Sequence, residues 1–566
     1  MKRIIKKTKK VVEYYTLRIL GVYYQNKNIP IYYAWKIQSD DFIKRNDVES
    51  FNWFELYGKY YKFHSRRIDK IKISQYFDHS FDINIIWKRS AFSFWSNTSY
   101  QLCKSLINDW ISKNKYLHSI NWFSPTMTSL RLINWILFMN FNKGKLDNDP
   151  QFKRKILHSI LIHTIYISKN TEVKTDGYAS NHATTNFTAL LFASLTLKDL
   201  SISKKWLKQA INGLNYCISY QTLPDGVNFE CSIPYHRLNL ELFSYSTIIC
   251  LHNNIDLSEK YFHLLFRMME YVAAYIDKNG NAPQIGDNDS TRIVFDKQIS
   301  EFNHSYLLCI GNYIFNYQFK SICKEIDSRI INYLPLIKST DIEKIKPDKR
   351  NTTKSISFTN AGAYILKNEN LSVFIACFSS GQKGKGGHNH VDQGSITVSI
   401  DGNQLIVDPG TYTYTHSRAE RDYFRSEKMH NMPIHTNEIF DLSKNGYWTL
   451  KQYLEANVEA FKHDQIKIQI KNIKNPNFVR SRNITITNNQ IKITDKMDGA
   501  FASTFIFHPD YKDNIEDFVN ILEGRYKIIE IPYSPSYYCK VTTKAIRIYG
   551  NMQISYIISA NNNFLK

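Results

Sequence analysis

The hydrophobic period of this chain changes once along its length, and this change is the strongest constraint on its fold. From about residue 90 to 335, apolar residues recur every three or four positions, which is typical of helices that bury one face. The clearest such segments are 129–141, 152–171, 204–220, 236–252 and 258–276. Turn sequences such as Pro224-Asp225-Gly226 separate them. Many successive antiparallel helices predict a helical barrel or an incomplete toroid.

After a polar segment at residues 339–355 the period falls to two. Residues 395–400 alternate, the turn sequence Asp401-Gly402 follows, and residues 404–408 return as a second strand. The same alternation is found at residues 466–470, 484–487 and 491–494. This half therefore predicts an antiparallel β-sandwich of two large sheets.

Helices first and strands second make an α+β chain of two large domains. We expect an N-terminal extension at residues 1–89 that packs on the toroid, a catalytic α/α toroid at 90–338, a linker at 339–355 and a β-sandwich at 356–566. A cleft between two domains is a favoured site for an extended ligand. No run of about 20 uncharged apolar residues occurs, so we expect no transmembrane segment.

The chain carries 73 Lys and Arg against 51 Asp and Glu, a net charge of +22. Such a charge attracts polyanions, which include nucleic acid, anionic lipid and acidic polysaccharide. A general richness in Lys, Asn, Ile and Tyr explains the charge equally well. The chain has no zinc finger, RNP motif or Gly-rich phosphate loop, so we expect no nucleic-acid partner. No Cys-x-x-Cys pair occurs, which argues against a cysteine-ligated zinc module.

Five short segments are rich in polar and charged residues, which are uncommon in a hydrophobic core. They are residues 180–186, 225–236, 286–292, 386–392 and 408–412, with Arg425, His430 and Asn431 downstream. In an extended segment His388 and His390 would project from one face. Together with Asp408 and His430 they suit a zinc-like ion, although each histidine would equally serve to cap a turn.

Two carboxyls in the third polar segment suggest hydrolysis as an alternative reaction. Asp287 and Asp289 resemble the paired acid and base of a glycoside hydrolase. The sequence Gly-Asp-Asn-Asp-Ser favours instead an Asx turn, which we expect Arg292 to hold.

Arg131 and Trp135 are neighbours one helical turn apart. A guanidinium beside an aromatic ring suits a sugar that bears a carboxylate. An amphipathic core helix explains the same pattern.

Taken together, these segments resemble the heparinase II/III-like family of polysaccharide lyases. The most specific parts are 387–395 (GHNHVDQGS), 405–412 (LIVDPGTY), Arg425-Ser426 and His430-Asn431; 129–135, Asn181-His182, 225–236 and 286–290 support them. The resemblance implies an α/α toroid joined to an antiparallel β-sandwich domain, which agrees with the change of period. It also implies β-elimination at a uronic acid, in which a base removes the C5 proton and an acid protonates the leaving oxygen.

The resemblance assigns a role to individual residues. Tyr235 matches the acid, which also serves as base in one reading, and His388 matches the second acid/base group. Asn181 or His182 matches the residue that neutralises the substrate carboxylate or acts as base. The implied ligands of a divalent metal are His390, Asp408 and His430, with His435 as an alternative for the third. We expect zinc, with calcium and manganese as alternatives, and a structural role for the ion.

The predicted partner is an acidic polysaccharide. We expect Arg131, Trp135, Glu230, His236, Asn389 and Arg425 to contact it. The alternatives are a catalytically silent glycan-binding or polysaccharide-assembly protein on the same scaffold, and a toroid glycoside hydrolase. The resemblance implies a cell-envelope or periplasmic location. Because charged residues interrupt the N-terminal apolar run and no signal peptide is visible, the cytoplasm is the alternative, with a role in making or trimming a capsular polysaccharide.

Overall fold

The computed structural model describes residues 82–293, 300–317, 319, 354–487 and 489–559, and four isolated positions at 68, 72, 74 and 77. Most of the predicted extension at 1–89 and almost all of the predicted linker lie outside the described residues. The domain boundaries there stay predictions.

Helices make up the N-terminal half of the described chain. They are α1 (Ile83–Ser90), α2 (Tyr100–Lys113), α3 (Pro125–Phe141), α4 (Lys143–Asp147), α5 (Pro150–Lys169), α6 (Asn181–Thr196), α7 (Ser203–Gln221), α8 (Ile233–His252), α9 (Glu259–Tyr275) and α10 (Ser305–Phe315). The five segments with helical period correspond to α3, α5, α7, α8 and α9, so the prediction of an incomplete toroid is confirmed. Among the described helices none is both long and apolar enough to cross a bilayer.

Three helices begin earlier than the apolar period indicates, because side-chain caps and prolines set their first turns. Ser124 Oγ accepts from the Met127 N–H at 3.2 Å ahead of α3. Asp149 caps α5 in the same way, and Ser232 caps α8. Each of these helices has a proline in its first turn, where the missing N–H costs no hydrogen bond.

Helix α6 is not among the clearest segments of helical period. Its first half holds the polar residues Thr184, Thr185, Asn186 and Thr188, all buried, and they interrupt the recurrence of apolar residues. It packs against α3, α7 and α8.

Strands make up the C-terminal half. They are β1 (Ile356–Phe358), β2 (Ala363–Lys367), β3 (Leu371–Ala376), β4 (Ser395–Ile400), β5 (Asn403–Ile406), β6 (Pro433–His435), β7 (Leu454–Phe461), β8 (Gln465–Asn472), β9 (Val479–Ile486), β10 (Gln490–Met497), β11 (Phe501–Ile506), β12 (Val519–Glu523), β13 (Arg525–Ser536), β14 (Cys539–Gly550) and β15 (Gln553–Ser559). Short helices α11 (Gly381–Gly384) and α12 (Arg418–Phe424) lie in the connections.

The described strands form three antiparallel sheets rather than the two predicted. Their orders are β1-β2-β3-β4-β5, β12-β15-β10-β9-β8-β7 and β13-β14-β11-β6. The predicted hairpin is present as β4 and β5, and Asp401 and Gly402 between them have φ values of 51° and 78°. Positive φ at both turn residues is what a two-residue hairpin of this twist requires.

The five-stranded sheet is buried on both faces. On one face Ile365 and Ala376 belong to the apolar core of the helices. On the other face Leu366 and Ile375 pack in the same core as Ile468 of the six-stranded sheet. Because successive side chains of a strand alternate between faces, this sheet joins the toroid firmly to the rest of the sheet domain.

Candidate active site

A cleft of about 660 Å³ lies where the helical half meets the sheet half. The helical half contributes Asn181, His182 and Tyr235 to its lining, and the sheet half contributes His388, Tyr414 and Trp448. Asp289 and Thr291 also line it, so the cleft brings together residues from four of the five polar segments of the sequence.

Tyr235 lies in the first turn of α8, where the Ser232 Oγ accepts from its backbone N–H at 3.2 Å. Its ring stacks on the imidazole of His388 with the ring centroids 3.6 Å apart and the planes at 18°. Its hydroxyl lies 3.0 Å from the hydroxyl of Tyr414. Burial, and then the charge of Asp289, raise the pKa of Tyr235 well above its ordinary value. The phenol therefore keeps its proton at neutral pH.

His388 lies in the loop between α11 and β4, and two carboxylates flank its ring. Its Nδ1 is 3.1 Å from Asp287 Oδ2, and its Nε2 is 3.4 Å from Glu230 Oε2. Its carbonyl accepts from the Asp287 N–H at 3.0 Å. A Cβ at Gly286, whose φ is +73°, would lie 2.8 Å from that carbonyl oxygen. Only glycine therefore allows the two backbones to come this close.

Asp287 connects His388 to the neighbouring polar groups. Its fully buried carboxylate also accepts from His390 Nε2 at 3.0 Å and from both terminal nitrogens of Arg421, one of them at 2.7 Å. Burial alone would raise the pKa of this carboxyl, but Arg421 and the histidine hydrogen bonds hold it well below its ordinary value. Asp287 is therefore a permanent anion, which excludes it as the general acid of a hydrolase.

The prediction that Arg292 ties down this turn is wrong, because the Arg292 side chain donates to the Ser300 carbonyl at 2.7 Å. The predicted Asx turn is present at Asp289, which accepts from the Thr291 N–H at 3.0 Å. The second oxygen of Asp289 accepts from Asn84 and from the Thr291 hydroxyl. Both carboxyls thus have structural partners, and no acid and base pair of the hydrolase kind results.

Asn181 and His182 are the first two residues of α6, and each is paired with a carboxylate. Glu230 accepts from the Asn181 backbone N–H at 2.7 Å and from its side-chain amide at 2.8 Å. His182 Nδ1 lies 2.9 Å from Glu172 Oε1, and the His182 side chain is 48% exposed in the cleft. Desolvation by the cleft walls lowers the pKa of His182, but the charge and hydrogen bond of Glu172, together with the charges of Glu230 and Asp289, outweigh it and the net shift is upward. These carboxylates therefore stabilise the cationic form of His182.

Three predicted substrate contacts lie beneath the cleft wall instead. Glu230 is fully buried and positions Asn181 beside His388. Both ring nitrogens of His236 are bonded to backbone, Nδ1 accepting from the Asn228 N–H at 3.2 Å and Nε2 lying 3.1 Å from the Met268 carbonyl. Asn389 accepts from the Gly381 N–H at 2.8 Å. The prediction that these side chains contact substrate is wrong, since their polar atoms hold the backbone around the site.

Arg131, Trp135 and Arg425 are buried away from the cleft, so the corresponding predictions are also wrong. Arg131 donates to His163 Nε2 at 2.9 Å and lies 4.0 Å from the centre of the Trp110 ring. Trp135 is fully buried in the same aromatic core. Arg425 donates to the carbonyls of residues 446 and 449 and thereby fixes the segment that carries Trp448.

A buried cluster of His390, Asp408 and His430 lies behind His388, with ligand atoms of all three within 4.8 Å of one another. His430 Nδ1 is 2.8 Å from Asp408 Oδ2. His390 Nδ1 and His430 Nε2 are buried and have no hydrogen-bond partner among the described residues. Unpaired buried nitrogens are costly unless something binds them, so this cluster fits a metal ion. Two imidazoles and a carboxylate can hold a divalent ion.

His435 is not part of this cluster. Its Nδ1 accepts from the Asn437 N–H at 3.1 Å, and its ring packs on Phe478. Of the two alternatives for the third ligand, the structure therefore favours His430.

Sequence reasoning missed Tyr414, Glu172 and the central position of Asp287. The alternation in Thr411-Tyr412-Thr413-Tyr414 could have indicated that the two tyrosines differ from the threonines in the face they present. Glu172 lies outside the polar segments, and only the fold brings it to His182.

Two family models match the sequence. The model described as heparinase II/III N-terminus matches residues 12–307, more than half of the chain, and the model described as heparinase II/III-like, C-terminal, matches residues 350–525. The chain belongs to the heparinase II/III-like family. The order of the two matches along the chain corresponds to the helical half and the sheet half of the fold.

Solved structures of this family have the same fold. A heparinase III structure superposes with a TM-score of 0.60 at 14% sequence identity, covering 99% of this chain and 92% of that one. A mutant of heparan sulfate lyase HepC from Pedobacter heparinus gives 0.55 at 17% identity, covering 96% and 88%. At such identities the likeness concerns the fold alone. No functionally curated protein matches the sequence.

Proposed function

We propose that this member of the heparinase II/III-like family is a polysaccharide lyase that cleaves a uronate-containing glycan by β-elimination. The observation that carries the proposal is the stacking of the Tyr235 phenol on the His388 imidazole in the cleft. One ring comes from the helical half and the other from the sheet half. Asn181 and His182 line the same cleft, so an acid, a base and a partner for a carboxylate are all present.

The reaction needs these three groups and no water. A base takes the C5 proton, and the electron pair of the C–H bond forms a double bond between C5 and C4. The bond from C4 to the glycosidic oxygen breaks, and an acid protonates that oxygen. Negative charge develops on the uronate carboxylate in the transition state, so a cation or hydrogen-bond donor at that carboxylate gives the largest stabilisation.

Tyr235 is the acid in this proposal. Its phenol holds its proton at neutral pH, which is the form that an acid needs, and the alkoxide that develops as the C4–O bond breaks takes that proton. His388 accepts the C5 proton. Asp287 holds its Nδ1, which leaves Nε2 for proton transfer, and Glu230 at 3.4 Å from Nε2 stabilises the imidazolium that forms.

His182 neutralises the substrate carboxylate and Asn181 donates an N–H to it. Glu172 favours the cationic form of His182, and the ring reaches into the cleft. The N-termini of α6 and α8 both meet the cleft, and their backbone dipoles add positive potential where an anionic glycan binds.

We propose zinc for the cluster of His390, Asp408 and His430, because two imidazoles and a carboxylate suit it. When bound, the ion supplies a cross-link between the loop of His388 and the segments of Asp408 and His430. Asp287 binds the Nε2 of His390 and so orients that ring for the ion.

The test is incubation of the purified protein with a panel of uronate polymers, followed through the absorbance of the new C4–C5 double bond. The expected result is absorbance on at least one polymer, and a kcat about 10²- to 10⁴-fold lower in Tyr235→Phe. The exposed Tyr423→Phe is the matched control and should keep full activity. Product masses that include an added water, or binding without any product, would contradict the proposal in favour of hydrolysis or a silent glycan binder.

A further inference from the structure

Lys174 and Lys385 line the cleft apart from the stacked rings, and Lys383 lies on the neighbouring tyrosine surface. Lys385 Nζ lies 3.1 Å from the centre of the Tyr178 ring, and Lys174 Nζ lies 5.0 Å from the centre of the same ring. Lys383 Nζ lies 3.6 Å from the centre of the Tyr220 ring. Lysines from the sheet half and a lysine from the helical half thus share a surface of two tyrosines on the toroid.

The backbone that carries two of these lysines is strained. Gln382 and Lys383 are consecutive non-glycine residues with φ values of 55° and 56°, a conformation that costs energy and is concentrated at functional sites. Hydrogen bonds hold it in place: the Gln382 N–H donates to the Phe229 carbonyl at 2.6 Å, and its side-chain carbonyl accepts from the Gly387 N–H at 3.0 Å. These hydrogen bonds keep the segment of Lys383 and Lys385 against the toroid.

Positive charge exceeds negative charge on this surface. Among the described residues no carboxylate lies within ion-pair distance of Lys174, Lys383 or Lys385; the charge of Asp176 acts on Lys174 and Lys385 from further away, and the ammonium groups contact tyrosine rings. Gathering like charges in this way is unfavourable, and an anion that binds between them removes the repulsion. The surface is therefore suited to an anionic ligand.

We propose that Lys174, Lys383 and Lys385 form a subsite for a second anionic group, carried by a sugar next to the one at His388. This inference rests on the proposed lyase function and narrows its substrate class. Asn181 and His182 already serve the first carboxylate. Lys174 and Lys385 line the same cleft, so a continuous glycan chain reaches both places. The second group is a carboxylate of a neighbouring uronate or a sulfate ester, since both are anions that accept hydrogen bonds from ammonium groups.

The test measures binding of labelled hexasaccharides to the full chain carrying Tyr235→Phe, which prevents cleavage. The probes are unsulfated chondroitin, chondroitin 4-sulfate and an oligoglucuronate with a carboxylate on every sugar. At one fixed salt concentration, at least one of the two more highly charged probes should bind about tenfold more tightly than unsulfated chondroitin. The stronger of the two identifies sulfate or carboxylate as the second group.

The triple substitution K174A/K383A/K385A should reduce this preference to about twofold or less. The matched control is K204A/K205A/K208A on α7, which removes the same charge from three exposed lysines and should keep the preference. Equal or absent binding of all three probes would overturn the proposal, as would a preference that survives the first triple substitution or is lost equally in the control. A lysine-dependent preference without any unsaturated product from wild-type protein would instead overturn the lyase function.

Discussion

The two walls of the cleft hold their functional side chains by different means. On the helical wall Asn181, His182 and Tyr235 lie in the first turns of α6 and α8, so helix geometry fixes their backbones. On the sheet wall His388 lies on a loop, and the buried carboxylate of Asp287, more than 100 residues away in sequence, fixes its ring. On the helical wall the backbone is placed by local structure, whereas the backbone and ring of His388 depend on a long-range polar network.

This difference determines how each wall should respond to substitution. A helix cap contributes about 1 kcal/mol and its loss leaves the rest of the helix in place. A buried carboxylate with an arginine partner leaves an uncompensated charge when it is removed. We therefore expect the sheet wall to lose activity and stability together, and the helical wall to lose them separately.

The largest effect is expected for Asp287→Asn. This change leaves Arg421 without its counter-charge and removes the acceptor that orients His388. The expected result is a kcat about 10⁴-fold lower, as when the carboxylate partner of a catalytic histidine is lost, and a free energy of unfolding lower by about 3–5 kcal/mol, measured by urea denaturation.

The matched control is Asp495→Asn, which breaks the equally buried pair with Arg482 in the sheet core. It should lose similar stability and keep the activity of the folded fraction. If Asp495→Asn lowers kcat as much as Asp287→Asn, the comparison between the walls fails.

The next effect concerns the buried metal cluster. In His390→Ala the cluster loses one ligand, so the purified protein should hold far less divalent metal by elemental analysis, and kcat should fall about 100-fold. His435→Ala lies outside the cluster and should retain the metal. Wild-type protein that carries no stoichiometric metal after purification without chelators would contradict this prediction.

A smaller effect, and a distinct one, is expected at His182. Its folded pKa is raised, so the cation is present below that pKa and is lost as the pH rises through it. Activity should therefore decline on the alkaline side. Glu172→Gln removes the largest raising charge and should shift this decline to lower pH. His182→Gln should lower kcat/KM about tenfold at neutral pH and abolish the same decline; an unchanged pH profile in both variants would contradict the assignment.

The smallest effect is expected for Ser232→Ala, which removes the cap of α8. The hydroxyl also donates to the Asp287 carbonyl at 2.7 Å, so it touches both walls. We expect a loss of about 1 kcal/mol in the free energy of unfolding and a kcat within about threefold of wild type. Ser258→Ala removes the cap of α9 and should cost the same stability with no change in kcat. A large loss of kcat in Ser232→Ala would show that the helical wall also depends on the network.

Local patterns predicted much of the fold. Strand β4 begins and ends at the predicted residues because its alternation and its Asp-Gly turn are both encoded within a few positions. Five helices were also found from the recurrence of apolar residues. Helix α6 was not singled out because polar residues interrupt that recurrence in its first half, and the third sheet was missed because sheet membership depends on pairing between distant strands.

The site was predicted unevenly for the same reason. Residue types and spacing brought out Tyr235, His388 and the cluster of His390, Asp408 and His430. Arg131 was misread because only the fold shows that His163 and the Trp110 ring occupy its guanidinium. The partner of Asp287 was misread as Arg292, a near neighbour in sequence, when the ion pair is made by Arg421.

The five-stranded sheet, apolar on both of its faces, has a consequence for any attempt to divide the protein. If the chain were cut between the two halves, the C-terminal fragment would expose the face of this sheet that includes Ile365, Phe374 and Ala376. Such an exposed hydrophobic surface is prone to aggregation. The N-terminal fragment would lose the sheet that covers its hydrophobic core. Neither piece is an autonomous module, and we expect heat or denaturant to melt the whole molecule in a single step.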